Sequence, residues 1–182
     1  MGPPPAGVKD APANAALLVI DVQQRLAPAI PAAPEVVARI AALIDKAREI
    51  RLPILATEQY SRGLGPTLPE LRRRLAAGEV IEKIHFAAPR EAAFAAALAA
   101  AGIDRVVVAG MEAHVCVQQT VLALLARGLA VTVVRDAVAS RRDLDRRVAL
   151  ARLARAGAAL ADSATLLDAW SDAPVPLPPP AG

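Results

Sequence analysis

A chain of 182 residues is long enough for one domain with a full core and short for two. Apolar residues make up 55% of it and aromatics only 2%, the net charge is +3, and a single cysteine excludes an internal disulfide. No uncharged apolar stretch reaches the ~18 residues of a membrane span, and Met1-Gly2-Pro3-Pro4-Pro5 lacks the pattern of a secretion signal, so a cytoplasmic protein with no membrane partner is expected.

Residues 1–13 are proline-rich, as is the end, 172–182, with PVPLPPP. Proline fixes φ and removes donors, which predicts flexible tails around a domain spanning 14–171. Within it, Ala15 to Val22 reads as a buried strand ending near Asp21. Glu35 to Ile50 has helical apolar spacing, Pro53 to Thr57 is a second strand, and TEQYSRGLGPTLPE after it is a loop of turn residues. Leu68 to Ala77 predicts a short helix closed by Gly78, Val80 to Ile84 a third strand, and Arg90 to Ala101 a helix stopped by Gly102. Arg105 to Ala109 is the fourth strand, Val115 to Arg127 a helix, and Ala130 to Val134 the fifth strand. Asp143 to Ala156 is helical, Ala158 to Ala161 a weak sixth strand, and Ala164 to Trp170 a closing helix.

Short apolar strands alternating with helices predict a three-layer α/β/α fold. Its doubly wound, six-stranded parallel sheet is expected in the order 3-2-1-4-5-6. In such sheets ligands bind beyond the carboxyl ends of the strands, where strand order reverses. Three reactive residues fall at such ends: Asp21 in LLVIDVQQ, Lys83 in VIEKIHF and Cys116 in GMEAHVCV. Singly, Asp21 could cap a turn, Lys83 could reach solvent, and Cys116 could pack as a small hydrophobe. Together they can converge on one site. A helix N-terminus and a nearby ammonium favour a thiolate, so Cys116 is expected to be partly exposed and to alkylate at or below neutral pH. Asp21 would move the proton, Lys83 would support it electrostatically, and backbone N–H groups of the Gly110 to Cys116 turn could hold an oxyanion.

Through TEQYSRGLGPT, EKIHF and GMEAHVCVQQT the chain resembles cysteine hydrolases of the isochorismatase-like superfamily, from about Ala15 to Trp170. It is most similar to the subgroup of isochorismatase domain-containing proteins. The resemblance implies a catalytic triad of Asp21, Lys83 and Cys116. It also implies a cis peptide between Met111 and Glu112, and oxyanion donors on the backbone N–H groups of Glu112 and Cys116. Nicotinamidases in that superfamily carry a metal-binding Asp and two histidines after the second strand. Here the segment is Thr57-Glu58-Gln59-Tyr60, so no metal and no cofactor are expected. After EKIHF the chain has Ala87-Ala88 where relatives often have a hydroxyl or thiol.

Gln23, Tyr60, Phe86 and His114 are candidate walls of the substrate pocket. His114 could pair with Cys116, but residues two apart at a helix start face different ways. His85 suits a structural or pocket-wall role. The Glu112 carboxylate is expected to point away from the pocket into a packing or subunit contact, because a carboxylate beside an oxyanion would oppose its charge. The arginines at Arg72 to Arg74 and around Arg141, Arg142, Arg146 and Arg147 read as solvated helix faces, and no nucleic-acid partner is expected. The expected activity is hydrolysis of an amide-type C–N bond in a small molecule by a homo-oligomer. The alternative is a binding or scaffold protein that keeps the pocket without turnover.

Overall fold

The computed structural model describes residues 14–171, so the two expected proline-rich tails lie outside the described residues. Its strands are β1 (Ala15–Ile20), β2 (Ile54–Gln59), β3 (Val80–Lys83), β4 (Arg105–Met111), β5 (Ala130–Ala139) and β6 (Ala159–Ala161). They form one parallel sheet in the order β3-β2-β1-β4-β5-β6. The expected order is the observed one. The strand sequence reverses direction between β1 and β4, and a crevice opens there at the carboxyl ends.

The helices are α1 (Ala33–Glu49), α2 (Ser61–Leu64), α3 (Pro69–Arg72), α4 (Ala92–Ala100), α5 (Gln118–Leu125), α6 (Asp143–Arg155) and α7 (Ser163–Ser171). Side chains alternate across a strand, so β1 serves two cores. Leu17 and Val19 join Ile40, Leu43 and Ile44 of α1 and Trp170 of α7 on one face. Leu18 and Ile20 join Phe94 of α4, Val121 and Leu124 of α5 and Leu153 of α6 on the other. Phe94 and Leu98, one turn apart, are the buried residues of the alanine-rich α4.

Gly110 allows the two central strands to meet closely where they end. Its φ is 126°, and a Cβ there would lie 2.1 Å from the carbonyl oxygen of Ile20. Any side chain would push β1 from β4 at the mouth of the crevice.

Several boundaries differ from expectation for physical reasons. The predicted helix Leu68 to Ala77 shrinks to Pro69–Arg72, and the loop after β2 coils into α2. The helix expected from Val115 starts instead as a π-helical turn, Ala113–Val117, before α5. β5 runs five residues past Val134, to Ala139. Its pairing with β4 shifts between Val108↔Val133 and Gly110↔Val138, so residues 134–137 bulge out of register. Beyond the bulge the strand resumes, and Arg141, just after its end, reaches the cavity. Among the described residues, no helix is long and apolar enough to cross a membrane.

Candidate active site

Asp21 directly follows β1, with a φ of 51° and no exposed surface. Aspartate tolerates this left-handed conformation better than most residues. The turn leaves its carboxylate between two strands. Oδ1 accepts a hydrogen bond from the Thr57 hydroxyl of β2 at 2.7 Å. Oδ2 accepts one from Lys83 Nζ of β3, also at 2.7 Å. Lys83 is 1% exposed, and its ammonium spends its remaining donors on Gln59 Oε1 at 2.7 Å and the His85 carbonyl at 3.3 Å. All three ammonium donors are thus engaged.

A second layer holds the first. Gln59 Nε2 donates to the Ile84 carbonyl, which aims Oε1 at Lys83. Glu91 accepts from the N–H groups of Ile84 and His85 and lies 2.8 Å from His85 Nδ1. His85 therefore contributes its carbonyl to the site while its ring turns to Glu91. The His85 N–H foremost, then its ring, hold the Glu91 carboxyl well below the usual range, at about 2. Thr57 and Gln59 escaped the sequence reading, because neutral polar residues at a strand end look like the start of a loop.

Cys116 sits on the π-helical turn and is 6% exposed. It borders a cavity of about 350 Å³ with Asp21, Gln59 and Glu112. Burial foremost, then the neighbouring Asp21 carboxylate, push its thiol up to about 12, and Lys83 pulls the other way without offsetting them. This corrects the expectation of a partly exposed thiolate at neutral pH. A thiolate here would add uncompensated negative charge to a buried site already holding a matched ion pair. Burial and Asp21 together favour the neutral thiol over the thiolate.

The peptide bond between Met111 and Glu112 is cis. The Glu112 carboxylate accepts the Arg141 backbone N–H at 2.9 Å and the guanidinium at 2.7 Å. Burial acts against it, but Arg141 holds the Glu112 carboxyl below the usual carboxylate range. The carboxylate meets an arginine of its own chain at the cavity border. Arg141 is not a plain helix-face residue either: it precedes α6 and borders the cavity.

Of the four expected pocket walls, Phe86 borders this cavity; Gln23, Tyr60 and His114 do not. Gln23 is fully buried. Its amide donates to the carbonyls of Gln59 and Gly65 and accepts the Gln59 N–H, clamping the loop after β2. Tyr60 is an exposed residue in the left-handed region ahead of α2. His114 shares a hydrogen bond with the Ser140 hydroxyl at 3.0 Å. Leu26, Leu64 and Val115 complete the apolar wall. Among the described residues, no group of three or more His, Cys, Asp or Glu side chains is gathered as for a metal ion. Glu58, in the segment where nicotinamidases bind metal, gives its carboxylate to the N–H and hydroxyl of Thr67.

Comparison with known proteins agrees with this architecture. The salmon (Salmo salar) isochorismatase domain-containing protein 1 is 38% identical over 156 residues, which cover 86% of this chain and 55% of the relative. The chain thus spans about half the length of that curated relative. A Caenorhabditis elegans structure described as a MAR1 ribonuclease superposes with a TM-score of 0.82 at 39% identity, covering 87% of this chain and 82% of its own. The Escherichia coli YcaC gene product, described as an octameric hydrolase of unknown specificity, gives 0.79 at 28% identity, covering 85% and 78%. The isochorismatase domain model matches residues 15–165, nearly the whole described sheet and its helices, and the chain belongs to the isochorismatase family.

Proposed function

We propose that this protein is a cysteine hydrolase that cleaves the C–N bond of a small amide through a thioester acyl-enzyme. The observation that carries the reading is Asp21, ion-paired with the buried Lys83 and bordering the same cavity as the only cysteine. Ionisable groups without exposed surface cost several kcal/mol unless paired or functional, and here they face a nucleophile.

In the proposed reaction Cys116 Sγ attacks the amide carbonyl as its proton passes to Asp21. The carbonyl becomes an oxyanion held by the backbone N–H groups of Glu112 and Cys116. The C–N bond then breaks, and the leaving amine takes the proton from Asp21. Water adds to the thioester with Asp21 again accepting a proton; the carboxylic acid leaves, and the proton returns to sulfur. Lys83 gives the Asp21 carboxylate electrostatic support between proton transfers through their 2.7 Å contact. The raised thiol suits this sequence, because a base at hand matters more for a neutral thiol than for a preformed thiolate.

The name of the nematode structure points instead toward RNA. Here Arg141, the cation in the cavity lining, is committed to Glu112, and Lys83 behind the lining to Asp21, which favours an uncharged amide over a phosphodiester. Homo-oligomerisation is part of the proposal, supported by the octameric bacterial relative and by the exposed Leu144 and Val148 one turn apart on α6. Ammonia release from a panel of small primary amides tests the activity. Turnover by wild type that vanishes in Cys116→Ala is the expected result. Binding without release in both proteins would favour a scaffold.

A further inference from the structure

The cavity beside Cys116 is walled on its apolar side by Leu26, Leu64, Phe86 and Val115. Its charged groups form two matched pairs. Asp21 meets Lys83 at 2.7 Å, with neither side chain exposed, and Glu112 meets Arg141 at 2.7 Å at the border. Of the charged lining residues Asp21, Glu112 and Arg141, Asp21 is balanced by Lys83 behind it and Glu112 by Arg141, so the pairs together carry no net charge. The Asp21 and Lys83 side chains also spend their hydrogen bonds on Thr57, Gln59 and the His85 carbonyl.

Resting on the hydrolase reading, we propose that this cavity selects an uncharged small carboxamide with a short aliphatic or aryl acyl group, and that the Glu112–Arg141 pair enforces the choice. A carboxylate or ammonium on the substrate would shed water against Leu26, Leu64, Phe86 and Val115 and find no counter-charge that was not already bound. That loss of hydration opposes binding strongly. Arg141 is the residue that makes the border neutral: its Nε and Nη2 both face Glu112. Without Glu112 the same guanidinium would attract anions.

Three amides of similar length separate the possibilities: butanamide, succinamate and 3-aminopropanamide. Ammonia release by the full-length protein gives kcat/KM, and saturation-transfer NMR on Cys116→Ala gives binding without chemistry. Butanamide is expected to exceed both charged amides by about a hundredfold in kcat/KM. Preference for succinamate or 3-aminopropanamide would overturn the proposal while leaving the hydrolase standing. Selective butanamide binding with no ammonia from any amide would instead sink the hydrolase reading and keep the class of ligand. Failure of butanamide both to bind and to react overturns the proposal. Glu112→Gln should shift the succinamate-to-butanamide ratio upward by about three- to fivefold, the scale of a partly exposed ion pair. Arg141→Gln should shift preference toward 3-aminopropanamide, and it serves if the first variant fails to fold. Unchanged ratios in folded variants would remove the pair from the specificity argument.

Discussion

The two walls of the cavity are built on opposite principles. The wall from β1, β2 and β3 is a closed hydrogen-bond network in which Asp21, Thr57, Gln59 and Lys83 engage one another. The wall from β4, the π-helical turn and the end of β5 carries the thiol, Val115 and one ion pair whose arginine side chain is 61% exposed. Charges on the first wall are fixed before any ligand arrives. On the second, the Glu112 carboxylate is buried and only its Arg141 partner is open to solvent. Pre-organisation thus resides with the Asp21–Lys83 network, and the Cys116 thiol lies beside it.

Removing one partner from each wall should expose this difference most strongly. Lys83→Met leaves the Asp21 carboxylate buried and unpaired, and should lower unfolding stability in urea by about 3–5 kcal/mol besides abolishing turnover. Arg141→Ala removes a largely exposed guanidinium but leaves the Glu112 carboxylate its bond to the backbone N–H at 141, and should cost only about 1–3 kcal/mol. Equal losses would erase the distinction. Asp21→Asn should keep the fold, seen by circular dichroism, and lower kcat/KM by about a thousandfold, since a neutral amide cannot carry the proton.

The second test follows the thiol. Burial and Asp21 hold it up to about 12, so wild-type iodoacetamide reaction should keep rising with pH well beyond the ordinary thiol value of ~8.5. Asp21 raises this value and Lys83 lowers it. Asp21→Asn should therefore alkylate faster near pH 8 while losing turnover, and Lys83→Met should alkylate more slowly. A wild-type midpoint at or below 8.5 would contradict the neutral resting thiol.

What could be read from the chain, and what could not, follows the same division. Strands β1 and β4 are apolar runs buried on both faces, so their pattern is continuous and visible. Asp21, Lys83 and Cys116 stood out because ionisable or reactive groups are conspicuous at the ends of such runs. The bulge in β5 was hidden, since Arg135 and Asp136 resemble a strand ending in a loop. With the bulge went Arg141, which patterning alone assigned to a solvated face. Gln23 was misplaced because composition marks a buried amide without saying which backbone groups it clamps. The thiol was misjudged in sign: a helix start and an ammonium are legible in sequence, whereas the depth of burial is a property of the folded cavity.

A smaller effect concerns the network behind the first wall. The Glu91 carboxyl sits at about 2 in the folded protein against ~4.3 in an unfolded chain. A depressed carboxyl stabilises above the unfolded value and loses that contribution as pH falls through the folded one. The melting-temperature gap between wild type and Glu91→Gln should be constant above pH 5 and close toward pH 2. A gap independent of pH would detach Glu91 from this role. Smallest of all, dialysis against a chelator should leave turnover unchanged, because Glu58 is already committed to Thr67. Loss of activity restored by zinc or manganese would break the assignment of the chemistry to side chains alone.

The out-of-register segment of β5 makes the second wall separable in evolution from the first. Residues 134–137 are anchored from outside the cavity, with Asp136 accepting from the N–H and hydroxyl of Ser163 and Arg135 pairing with Asp162. A deletion of one residue there would slide the chain beyond it by a strand rise of about 3.3 Å and reverse which side chains face inward. Arg141 would move to the place of Ser140 and Arg142 to that of Arg141 at the cavity border, while Asp21, Lys83 and Cys116, carried by other elements, stayed where they are. Changes in loop length, rather than changes at reactive positions, are then the economical way for descendants of this chain to acquire new substrates.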